Sequence, residues 1–350
     1  MIEHKIEAEA VDCWPEPKWS NYQDACVQRH SDFETVYELA EIQATDALMI
    51  IQHGQVVAAY GDLTRKFLCH SIRKSFLSAL IGLEVERGTI DPSLTLDALG
   101  IDDREGLSIR EKSATIYDLL TARSGIYHPA GYETPWMRSI KEPRHSHAPG
   151  TFWCYNNWDF NALGTIYTNL SGLSVHAGFE KCVARPIAMD DFRFDAEMQD
   201  GWLAEDPCSI HPAYAFRMST RDLARFGLLF LRQGRWADRQ VIPHLWTRMS
   251  VLPHSEAGDR GGYGFMWWVA RQGVAFPGTI LPEGSFSAIG AGGHYCLVVP
   301  NLDLVVVHRV DTDIPLRQVD RFQFGTLVER ILRACRNAPQ LKFENQPCRA

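Results

Sequence analysis

Of the eight lysines in this chain, only Lys74 has a serine three residues before it, in Ser71-Ile72-Arg73-Lys74. Spaced i and i+3 on a helix, two side chains meet on one face. In apolar surroundings the ammonium form of lysine is disfavoured, so its pKa falls from about 10.4 towards neutrality and the free amine can take the proton of a serine hydroxyl. The start of the same helix aims backbone N–H groups and a partial positive charge at any oxyanion forming beside Ser71. Such a pair serves attack of a serine oxygen on a carbonyl carbon. A serine cap with a solvated lysine has the same spacing, and chance places about one such pair in a chain of this size. The pattern that follows argues for the chemistry: Ile72, Phe76, Leu77, Leu80, Ile81, Leu83 and Val85 put apolar residues on nearly every face of a helix over 71–87, ended by Gly88. A lysine one turn into such a buried helix needs a reason to be there.

The proton taken from the serine must travel on to a leaving atom, and a tyrosine held near a lysine can carry it. Two Tyr-x-Asn sequences compete. Tyr167-Thr168-Asn169 lies inside a helix pattern with Phe160, Leu163, Ile166 and Leu170, which is most simply core packing. Tyr155-Asn156-Asn157 follows Ala148-Pro149-Gly150 and precedes that helix, in a loop where a side chain can face a cleft, and is the preferred candidate. Smaller signals stand nearby. His128, after Ser124-Gly125, is either a pocket wall or a satisfied loop histidine. His145-Ser146-His147 lacks an acidic or cysteine partner at ligand spacing and is not read as a metal site. Trp267-Trp268 is read as aromatic core on a strand. Nine scattered cysteines without a Cys-x-x-Cys pair are read as thiols, and Cys69, Cys154 and Cys296 as small buried hydrophobes.

The elements that must position these residues follow from periodicity and turn chemistry. A helix is predicted around 32–44, a hairpin over 47–60 turning at His53-Gly54, and helices over 116–120, 158–170, 175–183, 221–232 and 321–336. Strands are predicted over 262–270, 285–299 and 304–310. Strands near both ends with a mostly helical stretch from about 90 to 215 imply a sheet built from distant segments, with a helical subdomain inserted. The formal net charge of -8 disfavours a phosphate backbone as partner, and the longest apolar runs are strand-sized. No export signal is visible at the N-terminus, so the expectation is a cytoplasmic protein with no nucleic-acid or membrane partner. The oligomeric state is not legible.

Four segments in order then resemble one family: Ser71-x-x-Lys74, Leu119-Leu120-Thr121-Ala122-Arg123-Ser124-Gly125, Pro149-Gly150 to Tyr155-x-Asn157, and Ser219-Thr220-Arg221-Asp222-Leu223-Ala224-Arg225-Phe226-Gly227. They are similar to the serine β-lactamase-fold hydrolases, in the branch of class C β-lactamases, D-peptidases, family VIII carboxylesterases and 6-aminohexanoate-dimer hydrolases. The resemblance implies an α/β (α+β) fold, an antiparallel sheet flanked by helices, β-lactamase/transpeptidase-like. The chain would be a single such unit, with its α/β part at about 1–88 and 215–350 and the helical subdomain at about 89–214. It implies Ser71 as the acylated nucleophile, Lys74 and Tyr155 as general base and acid, and Asn157 as a substrate-positioning residue. Counting back from Pro300 puts the family's third motif at Ala288-Ile289-Gly290, with the N–H groups of Ser71 and Ala291 as oxyanion hole and Ala288 and Gly290 against substrate. The alternative register takes Ala291-Gly292-Gly293 as that motif. Ala288 stands where β-lactamases and D-peptidases carry Lys or His for a substrate carboxylate, which points to substrates neutral at that end unless an arginine elsewhere in the pocket supplies the cation. The implied function is hydrolysis of a small ester or amide without metal or organic cofactor; the alternatives are an acyltransferase with the same acyl-enzyme, or a non-catalytic binding or scaffold protein.

Overall fold

Apolar runs from the two ends of the chain come together in one antiparallel sheet. The computed structural model describes Trp14, Trp19, residues 31–195 and residues 197–337. The sheet consists of β1 (Ala47–Gln52), β2 (Gln55–Gly61), β3 (Ser255–Glu256), β4 (Gly262–Tyr263), β5 (Trp268–Val269), β6 (Phe286–Gly290), β7 (His294–Val299) and β8 (Leu304–Arg309), in the order β2-β1-β8-β7-β6-β5-β4-β3. The pairing of β1 with β8, from Ala47 opposite Arg309 to Gln52 opposite Leu304, joins the N-terminal hairpin to the C-terminal strands. In both strands alternate residues enter different cores: Leu48, Ile50, Leu304 and Val306 face one, Met49, Ile51, Val305 and Val307 the other. Burial on both faces is why these strands read as continuous apolar runs.

One core is closed by helices α1 (Glu34–Ile42) and α5 (Arg321–Asn337). The other is closed by α4 (Thr220–Leu231), with the buried helices α2 (Arg73–Glu86) and α3 (Asn157–Ser171) beyond it. Gly227 lets α4 rest on the sheet, since a Cβ there would stand 2.6 Å from Val305 Cγ1 and 2.8 Å from Cys296 Sγ. Asp222, in the first turn of α4, accepts the backbone N–H groups of Asp190, Asp191 and Phe192 and so ties the incoming loop to that helix. Among the described residues, no helix is long and apolar enough to cross a membrane.

The hairpin turns at His53-Gly54, with φ of 52° and 75°, as the sequence predicts. Three expected elements differ. The run over 285–299 is two strands, β6 and β7, separated by Ala291-Gly292-Gly293, where φ is 85° at Gly292 and 110° at Gly293. The run over 262–270 is interrupted by a turn in which Met266 has φ of 61°. Within the stretch expected to be mostly helical, Gly201–Asp206 and Ser209–Ser219 form a hairpin that pairs with Lys66–Leu68 in a second sheet. Residues 213–216 of that hairpin are all buried, so the period of two that marks a half-buried strand is missing there.

Candidate active site

The second sheet delivers the chain to Ser71. Lys66–Leu68 ends beneath a short 3-10 turn, His70–Ile72, that runs directly into α2. His70 has φ of 46°, a left-handed conformation that a residue other than glycine adopts at a cost. Hydrogen bonds hold it there: His70 Nε2 lies 2.8 Å from Thr312 Oγ1, which also lies 3.2 Å from His294 Nε2, and Arg309 Nε donates to His294 Nδ1 at 3.0 Å. The turn leaves Ser71 partly exposed while Arg73 and Lys74 are each 1% exposed.

Lys74 Nζ donates to Ser71 Oγ at 2.6 Å and lies 4.9 and 5.0 Å from the ring centres of Tyr155 and Phe160. Among the described residues it has no ion pair with a carboxylate. Burial pushes the Lys74 amine well below the usual lysine range, and the neighbouring Arg73 charge pushes it further. Arg73 is itself a buried cation: Nη2 donates to Asn161 Oδ1 at 2.8 Å, the guanidinium lies 4.2 Å from the Tyr214 ring centre, and Nη1 has no hydrogen-bond partner.

Tyr155 reaches this cluster on the loop before α3. Cys154 N–H donates to Ala122 O at 2.9 Å, and Gly150 N–H to Arg123 O at 2.8 Å. Ser124 Oγ donates to Asp159 Oδ1 at 2.6 Å, and Asn156 caps α3 by accepting Trp158 N–H at 3.1 Å. The Leu119 to Gly125 segment thus clamps the tyrosine loop through backbone and side-chain bonds. Burial raises the Tyr155 phenol to about 12, while a hydrogen bond with Ser71 and the positive charges of Arg73 and Arg260 oppose that rise. Its ring packs 5.1 Å from Trp268 and 5.8 Å from Trp136, measured between centres.

Strand β6 passes on the other side of Ser71. A Cβ on Gly290 would stand 2.6 Å from the Cys69 carbonyl oxygen and 3.3 Å from His70 Cβ, so only glycine lets the strand end lie this close to the turn that carries Ser71. Ala291 follows in the turn to β7, and Ala288 is buried opposite Cys296 in the same apolar core as Tyr155. Asn157 donates to Gly131 O at 3.0 Å, is 1% exposed, and keeps Oδ1 without a partner.

His128 is not brought to Ser71. It is buried with Nε2 3.4 Å from Glu111 Oε1 and its ring 6.0 Å from Trp158. Tyr167 is buried within α3. Trp267 packs against Phe230, Phe286 and Phe226 in the core, whereas Trp268 borders Tyr155. Burial raises the thiols of Cys69, Cys154 and Cys296, to about 11 in Cys154 and about 12 in Cys296. Cys13, Cys26 and Cys348 lie outside the described residues. Arg73 escaped sequence reasoning, because a basic residue one position before a lysine looks the same whether buried or solvated.

A helix-covered antiparallel sheet of this topology, with serine and lysine at the head of its buried helix, is the architecture of the serine β-lactamase fold. The chain belongs to the Beta-lactamase family, whose model matches residues 39–321. Among solved structures it is similar to a proposed 6-aminohexanoate-dimer hydrolase from Bacillus anthracis, with TM-score 0.64 and 19% identity over 87% of this chain and 82% of that one. It is also similar to EstCE1, a hydrolase with promiscuous acyltransferase activity, with TM-score 0.61 and 15% identity over 86% of this chain and 97% of that one. At these identities the likeness shows the fold. An uncharacterized protein of Alkalihalophilus pseudofirmus is 31% identical over 97 residues, 26% of this chain; the match spans 28% of that protein's length.

Proposed function

We propose that this chain is a serine hydrolase that cleaves an ester or amide of a small molecule through an acyl-enzyme on Ser71. The observation that carries the reading is the 2.6 Å contact between Ser71 Oγ and a buried Lys74 that has no carboxylate partner among the described residues. Lys74 as the free amine accepts the Ser71 proton while Oγ bonds to the carbonyl carbon. The N–H groups of Ser71 and Ala291 take the oxyanion, which in such sites is the largest contribution to rate; one lost donor typically costs about 10²- to 10³-fold. Tyr155 passes the proton to the leaving atom as the carbon–oxygen or carbon–nitrogen bond breaks. A water molecule then gives its proton to the Lys74–Tyr155 pair as its oxygen adds to the acyl carbon, and Ser71 leaves reprotonated. Asn157 and the Ala288 to Gly290 strand orient the acyl group.

Transfer of the acyl group to an acceptor other than water is the second reading, supported by the acyltransferase activity that EstCE1 combines with hydrolysis. The test is turnover of short-chain aryl esters and linear amides, with an alcohol or amine acceptor titrated in. Wild type should release the aryl group and Ser71→Ala should not, with Tm nearly unchanged. Equal turnover by Ser71→Ala would remove Ser71 from the reaction, and ester product growing with acceptor at the expense of free acid would favour transfer.

A further inference from the structure

We infer that Arg260 is the anion-recognising residue of this site, and that the leaving half of the substrate carries a carboxylate. The inference rests on the acyl-enzyme reading and adds the substrate class to it. Arg260 lies in the loop between β3 and β4 and is partly buried. Its guanidinium lies 4.0 Å from the ring centre of Trp136 and 5.7 Å from that of Trp268. Those two rings also pack on Tyr155, at 5.8 and 5.1 Å between centres, so arginine and tyrosine share one aromatic wall.

The Arg260 guanidinium has no hydrogen bond or ion pair with any described residue, although its backbone N–H donates to Ala257 O at 3.1 Å. The guanidinium groups of Arg104, Arg239, Arg248 and Arg336 also lack one, but those residues are exposed, where water satisfies them. Arginine held against indole faces with its five donors unclaimed is a preorganised fork for a carboxylate. Asp259, the adjacent acid, is turned to Arg321, whose Nη1 lies 3.3 Å from Asp259 Oδ2, and Glu142 faces His147 at 3.7 Å. A cavity of about 470 Å³ opens at this point, lined by Trp136, Trp153, Cys154, Asp259 and Arg260 among others. Cys154 is the residue before Tyr155, so the cavity adjoins the loop that carries the tyrosine.

The side of the cleft decides which half of the substrate is recognised. In the proposed mechanism Tyr155 hands its proton to the leaving atom, and Arg260 packs on the same Trp136–Trp268 wall as Tyr155, near enough for its charge to act on the phenol. An anion held by Arg260 therefore belongs to the leaving alcohol or amine. This also supplies the cation missing at Ala288, from a loop rather than from β6.

The test compares 4-acetoxybenzoic acid, whose leaving phenol bears a carboxylate, with its methyl ester, in wild type, Arg260→Gln and Arg260→Lys. The readout is the ratio of kcat/KM for acid over ester, which cancels the intrinsic reactivity of the two phenols between variants. Bonds to a charged group predict that Arg260→Gln lowers this ratio by about 10- to 100-fold and that Arg260→Lys restores part of it. A ratio unmoved in Arg260→Gln, or equal losses on both substrates together with a fall in Tm, would show a cation that only clamps Trp136 and would overturn the assignment. Wild type that turns over neither compound would overturn it as well. Labelling of Ser71 by a fluorophosphonate, run in parallel, separates the two levels: absence of an adduct in wild type sinks the acyl-enzyme reading, whereas a labelled Ser71 with an unmoved ratio sinks Arg260 alone.

Discussion

Gly290→Ala adds a single methyl group beside the turn that carries Ser71, and the geometry sets what it should do. The new Cβ would stand 2.6 Å from Cys69 O, 3.0 Å from His294 Cβ and 3.3 Å from His70 Cβ. Ordinary contact begins near 3.4 Å, so β6 and the turn must part by roughly 0.8 Å. The nearest atom is a backbone carbonyl, which cannot swing aside as a long side chain would. That separation pulls the Ala291 N–H away from the Ser71 N–H, the pair assigned to the oxyanion. A misplacement of about 1 Å costs around 10²-fold, so kcat should fall by about 10- to 100-fold. Overpacking should lower stability by about 1–3 kcal/mol. Aryl ester kinetics and thermal melts measure both quantities. Gly227→Ala is the control: its Cβ also clashes, at 2.6 Å from Val305 Cγ1, but against the sheet rather than the Ser71 turn, so it should cost stability and leave kcat near wild type. Wild-type kcat in Gly290→Ala, or equal kcat losses in both variants, would refute the placement of β6 in the oxyanion hole.

In the proposed mechanism Lys74 and Tyr155 handle one proton in succession, so Lys74→Ala, Tyr155→Phe and the double variant should lose comparable activity. A double variant whose loss equals the product of two large single losses would mean independent roles. Arg73→Gln keeps a partner for Asn161 but removes a charge that pushes the Lys74 amine down. Without it Lys74 protonates more readily, so the acid limb of the kcat/KM profile should move to higher pH; a limb that stays in place or moves down would separate Arg73 from the tuning of Lys74.

What could be read in advance was local. Ser71 and Lys74 sit one helical turn apart, and the apolar residues after them fixed the burial of α2 without any long-range contact. The His53-Gly54 turn likewise needs only its own two residues. Sequence reasoning failed where a neighbour distant in the chain decides. Ala291-Gly292-Gly293 looks like the middle of one strand, and it becomes a turn because Gly292 and Gly293 adopt positive φ with Thr312 and Val319 packed against them. His128 follows a motif that ends near Tyr155, yet Glu111 and Trp158 claim its ring. Arg73 and Arg260 resemble any surface cation until the structure shows one enclosed and the other laid on tryptophan. The register of β6 beside Ser71 depends on Gly290 lying so near Cys69 that an added Cβ would stand 2.6 Å from its carbonyl oxygen, a closeness that no spacing rule encodes.

The central claim is that Ser71 is the residue that becomes acylated, and the direct measurement is intact mass followed by peptide mapping after treatment with a fluorophosphonate. The account predicts one adduct per chain, on the peptide containing Ser71, its formation slowed in Lys74→Ala and abolished in Ser71→Ala. An adduct on another residue, or one that persists in Ser71→Ala, would contradict it.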